Sequence, residues 1–371
     1  MDFSFTPEQD EAAELAARIL ADRATPERMR AVEQAGDRFD RELWRDLGDA
    51  GLLGLALPEA HGGAGLGLVE LCRVLVEVGR RVAPVPLAFH GPAALLLAEH
   101  GSTEQQASWL PGAASGSAVL TAAVAEDRSF APERPTTVAA GDAAGGWRLT
   151  GAKAVVPAGA YADLLLVPAD TPEGVGVFLV RPDDSGVTLT PQDFTDGDRV
   201  ARLELDGAAL GADRLVGPAD GSVDRRLRQL LVLAAAAEQL GVTEGALALT
   251  AAYAGTREQF GRPIGTFQAV SQRLADGYID VLGQRLTLWH AAWRLAEGLP
   301  AESEVAVAKL WAADAGHRLA HTTIHVHGGV GIDLDGEAHR YFTTAKRFEF
   351  LHGGATEQAL LIGRHLAAEP A

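Results

Sequence analysis

Residues 253–276 read YAGTREQFGRPIGTFQAVSQRLAD, and they close a long run of helical apolar spacing, LRQLLVLAAAAEQLGVTEGALALTAAYAGTREQF, from Leu227 to Phe260. Arg257 brings a permanent planar charge to the end of that run, and Phe260 with Gly261 lets the backbone come close to whatever the charge holds. This is the composition of an anion clamp. The plainer alternative is a solvated arginine at a helix end.

Working outward, helical spacing runs from Val223 to the C-terminus. From Ala118 to about residue 222 the texture is different. Short β-favouring runs, AVLTAAVAE, WRLTGAKAVV, ADLLLVPA, GVFLVRP, GVTLTPQ and ARLELDGAAL, are separated by Gly, Pro and Asp. From Thr6 to Gly116 the spacing is helical again, with Thr6 placed to cap and Pro7 suited to the first turn. LPEAHGGAGLG (57–67) reads as a loop between helices. The expected domains are therefore 1–117 helical, 118–222 β and 223–371 helical.

Composition narrows the function. The 371 residues are 47% hydrophobic and 22% charged, an ordinary globular balance. A formal charge of −18, from 32 basic and 50 acidic residues, repels phosphate backbones and anionic lipid, so neither nucleic acid nor membrane is an expected partner. The lone Cys72 lies on the helically spaced LVELCRVLVEV and reads as a buried thiol in a reducing compartment. The N-terminus MDFSFTPEQDEAAELA lacks a basic and apolar leader, and no apolar run is read as reaching the about 18 residues a membrane span needs, so the expected location is the cytoplasm.

Other motifs are weaker. HGGVGID (327–333) resembles a dinucleotide fingerprint but follows helical spacing rather than a strand. His317, His321 and His325 recur every four residues, which periodicity alone supplies, and without an H-E-x-x-H they are not read as a metal site.

The 253–276 stretch together with HVHGGVGID (325–333) resembles the C-terminal domain of the acyl-CoA dehydrogenase superfamily. With the helix–β–helix order, the resemblance covers essentially the whole chain. It implies the acyl-CoA dehydrogenase fold: an α-helical N-terminal domain, a β-barrel-like middle and a C-terminal four-helix bundle. FAD is the cofactor it implies. The family's R-x-x-F, a following glutamine and Q-x-x-G-G contact FAD held mainly by a neighbouring subunit. Here these positions are Arg257, Phe260, Gln268, Gly328 and Gly329, with His325 replacing the glutamine. Histidine keeps one donor but loses the amide's paired donor and acceptor.

The family's contacts within one subunit are largely missing. Where many members carry T-E-P-x-x-G-S-D against the flavin, this chain reads VAEDRSFAP (124–132), keeping Glu126 but placing Ala125 at the hydroxyl position. The positions that cover the flavin ring fall on Val155 and Pro157, and proline has neither hydroxyl nor backbone N–H. Read as a strand, AVVP ends at Pro157.

Near the C-terminus, FEFLHGGATEQ (348–358) places His352 at the family's catalytic glutamate. By its own chemistry His352 reads as a partly exposed capping residue. An alternative base position, on the first long C-terminal helix, falls on Leu231, which cannot take a proton. Glu238, further along that helix, reads as an acid paired to a neighbouring helix.

Retained contacts toward a neighbour and lost internal ones resemble half of a divided enzyme. FDRELWRDLGDAGLL (39–53), the stretch 257–281 and WAADAGHRLAHTTIHVHGGVGID (311–333) are similar to β-type subunits of heterotetrameric α2β2 acyl-CoA dehydrogenases of bacterial steroid side-chain (cholesterol) degradation. That likeness implies an α-type partner supplying the base and most of the flavin pocket, FAD shared between the two, a steroid side-chain acyl-CoA substrate and an electron-transfer flavoprotein as acceptor. No catalytic residue is then expected here. The alternatives are a self-sufficient homotetramer using His352, distinguished by flavin and activity in the isolated protein, and a non-enzymatic acyl-CoA or scaffold protein, distinguished by failure of any partner to restore flavin.

Overall fold

In the computed structural model, residues 4–36, 38–142 and 145–368 are described. Among them, helices come first: α1 (Pro7–Arg23), α2 (Pro26–Ala35), α3 (Arg41–Asp49), α4 (Leu68–Arg80), α5 (Leu87–His100) and α6 (Thr103–Ser115). Side chains set their starts. Thr6 and Gln9 exchange reciprocal bonds of 3.4 and 3.0 Å in a capping box ahead of Pro7, and the Asp40 carboxylate accepts from the amides of Glu42 and Leu43.

Strands follow: β1 (Leu120–Ala122), β2 (Val138–Gly141), β3 (Trp147–Val156), β4 (Leu164–Thr171), β5 (Gly174–Val180), β6 (Val187–Asp193), β7 (Arg199–Leu210) and β8 (Leu215–Val216). They form one sheet in the order β6-β7-β3-β2-β4-β5-β8, with β1 parallel to β4. Period-two patterning decides which face is inside. In β7, Leu203, Leu205, Ala208 and Leu210 are buried while Glu204 and Asp206 face solvent. β4 is buried along nearly its whole length, as befits an inner strand.

The last part returns to helices: α7 (Ser222–Thr256), a small hairpin of β9 (Glu258–Gln259) and β10 (Arg262–Pro263), then α8 (Gln268–Ala296), α9 (Glu302–His327), α10 (Ala338–Phe350) and α11 (Ala355–Ala368). One 18-residue window of α7 is apolar enough to cross a membrane, which corrects the expectation that no apolar run reaches that length. It is 83% buried within the protein and is a core helix.

Two compact units result, and they do not follow the sequence order. One joins residues up to Arg30, Cys72–Ala83 and everything from Ala235; the other holds Ala31–Leu71 and Pro84–Ala234, including the sheet. In the sheet-containing unit, His90 is fully buried: its Nδ1 accepts from the Leu120 amide and its Nε2 donates to the Ala113 carbonyl, both at 3.1 Å. Burial pushes its pKa down to about 4, so the ring is a neutral strut.

In the helical unit, α4 and α7 touch through glycine. A Cβ added to Gly241 would lie 1.9 Å from the Val76 carbonyl oxygen, and one on Gly79 would lie 2.0 Å from that of Glu238. The backbones are in contact, so neither neighbour can move aside. Gly241→Ala is expected to lower stability by about 1–3 kcal/mol. Gly255→Ala in the same helix meets open space and is expected to be neutral or to gain up to about 1 kcal/mol from helix propensity. Denaturant unfolding of both variants checks this.

The helical unit also leaves large apolar side chains in solvent. Phe260 is 93% exposed, and Leu334, Ile332, Leu286 and Ile279 are each more than 60% exposed.

Candidate functional site

Arg257 follows α7 directly. Its amide donates to the Tyr253 carbonyl and its carbonyl accepts from Ile264, both at 2.8 Å, so the residue forms the base of the β9–β10 hairpin. At the tip, Phe260 and Gly261 both have positive φ, +54° and +78°, the signature of a two-residue type I′ turn. Glycine adopts this freely; a phenylalanine there costs about 1–2 kcal/mol. That cost holds an aromatic ring out in water. Arg262 sits 4.3 Å over the Phe267 ring and is engaged within the unit, whereas the exposed Arg257 guanidinium makes no ion pair among the described residues.

The second element is the end of α9. His325 is exposed on its last turn, and the helix stops at Gly328 with φ +64° and ψ −140°. No atom lies within 4 Å of where a Cβ on Gly328, Gly329 or Gly261 would sit. The backbone there is bare and open to a flat or extended group. HGGVGID forms no strand–turn–helix unit: it leaves a helix and makes a short 3-10 turn, Gly328–Ile332. Gln268 is exposed at the start of α8. All six residues expected to face a neighbour's cofactor therefore lie in the helical unit, and all are solvent-exposed.

The reading from sequence missed the residues that join these elements. The rings of Tyr253 and His327 stack at 4.3 Å with 21° between their planes, and the His327 Nδ1 donates to the Thr323 carbonyl at 2.8 Å. Tyr253 stands one turn before Arg257, a spacing visible in the sequence. Its partner lies 74 positions away, and no local pattern announces it.

In the sheet-containing unit, the positions expected to hold FAD internally make contacts within the chain. Ala125 bridges Val155 in antiparallel fashion, and the Ala154 amide donates to the Ala125 carbonyl at 2.9 Å. β3 ends at Val156, one residue short of the expected end at Pro157, and Val156, Pro157, Ala158 and Gly159 are all buried. The Pro157 carbonyl is taken by the Thr121 hydroxyl at 2.6 Å. Glu126 is committed as well. It accepts from the Lys153 ammonium at 2.8 Å and from the amides and hydroxyls of Thr136 and Thr137. Burial alone would raise this carboxyl, but bonds from Lys153 and Thr136 with the lysine's charge hold it at about 2. Burial pushes the Lys153 ammonium down to about 8 against the pull of Glu126.

His352 is a correction. It is buried, at 7% exposure, with φ +59°, rather than a partly exposed cap. The turn from α10 to α11 explains this. Its His352 carbonyl accepts from the buried Gln358 amide at 3.1 Å, and the α10 carbonyls of Phe348 and Glu349 accept from the fully buried Lys309 ammonium at 2.8 and 3.2 Å. These clamps act on the backbone and turn the imidazole inward. Burial lowers the Lys309 pKa to about 7, opposed by Glu349 and Glu357. Leu231 is a buried apolar residue, and Glu238 pairs with Arg347 of α10 at 3.9 Å, as an acid tied to a neighbouring helix should.

Two members of the histidine row on α9 have partners within the helical unit. His317 pairs with Glu349 at 3.1 Å, and its ring centre lies 4.5 Å from that of His321, whose ring is perpendicular to that of Phe342. Among the described residues no group of three or more His, Cys, Asp or Glu is placed to hold a metal ion.

The comparisons agree with this frame. The family model for the acyl-CoA dehydrogenase N-terminal domain matches residues 6–117, and that for the C-terminal domain matches 232–367. Acyl-CoA dehydrogenase FadE27 of Mycobacterium tuberculosis is 49% identical over the full length of both chains. The ChsE4-ChsE5 complex from Mycobacterium tuberculosis contains a chain that is 49% identical, superposes with a TM-score of 0.95 and is covered in full by this one. The Tcur3481-Tcur3483 steroid ACAD, solved as a G363A variant, contains a chain 44% identical with a TM-score of 0.91, covering 97% of this chain and 98% of its own. The helical start, middle sheet and helical end are thus the acyl-CoA dehydrogenase fold, and this chain belongs to the acyl-CoA dehydrogenase family.

Proposed function

We propose that this chain is the cofactor-contributing, non-catalytic subunit of a heteromeric FAD-dependent acyl-CoA dehydrogenase. Its partner is an α-type subunit in an α2β2 assembly, its substrate an acyl-CoA thioester with a steroid side chain, and its acceptor an electron-transfer flavoprotein. The observation that carries the reading is an asymmetry within one molecule. Every residue expected to face a neighbour's FAD is exposed, among them bare glycine backbone and a guanidinium with no ion pair among the described residues, while every position expected to hold FAD internally is buried or already bonded. The complexes whose chains resemble this one, ChsE4-ChsE5 and Tcur3481-Tcur3483, are pairs of different proteins, the second named a steroid ACAD, which supports partner and substrate class alike. The fully buried Cys72 suits a reducing cytoplasm.

When bound, FAD supplies the hydride acceptor for the β-carbon of the thioester. This chain's residues do no proton chemistry in that account. Arg257 neutralises the pyrophosphate, Phe260 and the Gly328–Gly329 backbone shield it from water, and Gln268 and His325 offer hydrogen bonds at its edge. Leucine at 231 and a backbone-clamped histidine at 352 leave the α-proton to a base on the partner.

Arg257→Ala in the heteromer is expected to weaken FAD binding by roughly ten- to a hundredfold, the worth of a charge-assisted bond, with assembly intact. Flavin fluorescence on dilution, read beside size-exclusion chromatography, measures it; unchanged affinity would overturn the assignment. His352→Ala is expected to leave turnover within a few fold, because a general base is worth about 10²–10⁴ in rate and none is lost. A hundredfold fall in flavin reduction with flavin still bound would instead make His352 the base.

A further inference from the structure

Helices α7 and α9 run side by side toward the hairpin and the bare glycines, and matching contacts tie them as they go. The Thr250 hydroxyl donates to that of Thr323 at 3.1 Å, both fully buried. One turn on, Tyr253 stacks on His327. One turn further, Arg257 follows the end of α7, and on the other side Gly328 and Gly329 follow His327 directly at the end of α9. Thr250, Tyr253 and Arg257 are spaced three and four apart, and Thr323 and His327 four apart, so each set lies on one helix face. Both contacts advance in the same sense along both helices. The two elements of the exposed half-site are therefore the last step of a ladder, and the aromatic stack is the step directly beneath them.

We propose that the Tyr253–His327 stack is a positioning pair that fixes the distance between the Arg257 hairpin and the Gly328–Gly329 backbone, so that one dinucleotide of the partner subunit meets both at once. This deepens the reading above and rests on it. Several features favour positioning over simple packing. Tyr253 is only half-buried, so the stack sits at the rim of the core rather than within it. The His327 ring is fixed in orientation by its own Nδ1 bond to Thr323, which leaves the plane of the stack no freedom to rotate. Gly328 departs from helical geometry immediately after the ring, so the ring is the last fixed point before the bare backbone begins. A flat pair of rings keeps its spacing while tolerating little tilt, whereas aliphatic contacts would let both elements slide.

The test uses the heteromer and FAD itself, titrated into deflavinated complex and followed by fluorescence quenching. Tyr253→Leu and His327→Leu are each expected to weaken FAD by about three- to tenfold, the worth of an aromatic pair. Tyr253→Phe and His327→Phe, which keep two stacked rings, are expected to remain within about twofold. The double Tyr253→Leu/His327→Leu variant is expected to lose little more than either alone, since both remove one contact. Thermal unfolding and size-exclusion runs on all variants show whether a loss of FAD follows a loss of fold; the phenylalanine variants decide the matter if a leucine variant does not assemble. Arg257→Ala separates the two levels of inference. If it weakens FAD and the leucine variants bind normally, the positioning role is overturned and the half-site stands. If Arg257→Ala also binds normally, the half-site itself is overturned. Phenylalanine variants as weak as the leucine ones would likewise overturn the stack as the acting feature.

Discussion

Purified without a partner, the chain is expected to carry almost no flavin, and co-expressed with an α-type subunit it is expected to bring one FAD for each pair. The cause lies where β3 ends. A bound isoalloxazine needs hydrogen-bond donors at its edge and space for its plane, but Pro157 has no N–H, its carbonyl is occupied by Thr121, and Val156 to Gly159 are packed inside the unit. Ala125, at the other side, is paired with Val155. Added FAD should therefore raise the unfolding temperature of the complex but not of the lone chain, since a ligand at a hundred times its Kd stabilises by about 2.7 kcal/mol only where it has a site. Absorbance near the flavin band with protein quantitation gives the stoichiometry. A yellow homo-oligomer with one flavin per chain would sink the divided-enzyme account.

The second large effect is on stability. Lys153→Met is expected to cost about 3–5 kcal/mol near neutral pH, because it strands the Glu126 carboxylate in the interior. Bonds from Thr136 and Thr137 remain, which places the cost toward the lower figure. Adding Glu126→Gln to Lys153→Met should recover part of it by removing the charge left behind. The pH dependence has a definite sign. Glu126 is held at about 2, below its ordinary 4.5, so its contribution is complete above 4.5 and fades as pH falls from there through about 2. In Lys153→Met the carboxyl loses that support, so the penalty should shrink on acidification, when a protonated Glu126 no longer needs a partner. Urea unfolding at neutral and mildly acidic pH checks both statements; a penalty independent of pH would assign the loss to packing alone.

Much of this architecture was readable from local pattern. WRLTGAKAVV became β3 from Trp147 to Val156, and the Thr6–Pro7 start became a capping box, because alternation and capping are short-range physics. β2 is absent from the local pattern: Val138–Gly141 is an alanine-rich strand with three of its four residues exposed, and beyond Val138 only its neighbours β3 and β4 favour β structure there. The hairpin at Phe260 was read as a helix end, since two strands of two residues have no period to detect. The burial of His352 was illegible for a different reason. It is imposed by Lys309 and Gln358, which approach the turn from α9 and α11, and the sequence around the histidine looks like any exposed Gly-Gly turn.

The exposed apolar residues of the helical unit set how an unassembled chain behaves as a colloid. Phe260, Leu286, Ile332 and Leu334 are adhesive, and a net charge of −18 keeps such surfaces apart over about 8 Å at physiological salt. Salt weakens that repulsion and leaves the adhesion untouched. The chain by itself is thus kept dispersed by its acidity, and a concentrated electrolyte turns the same exposed apolar surface into a route to precipitation.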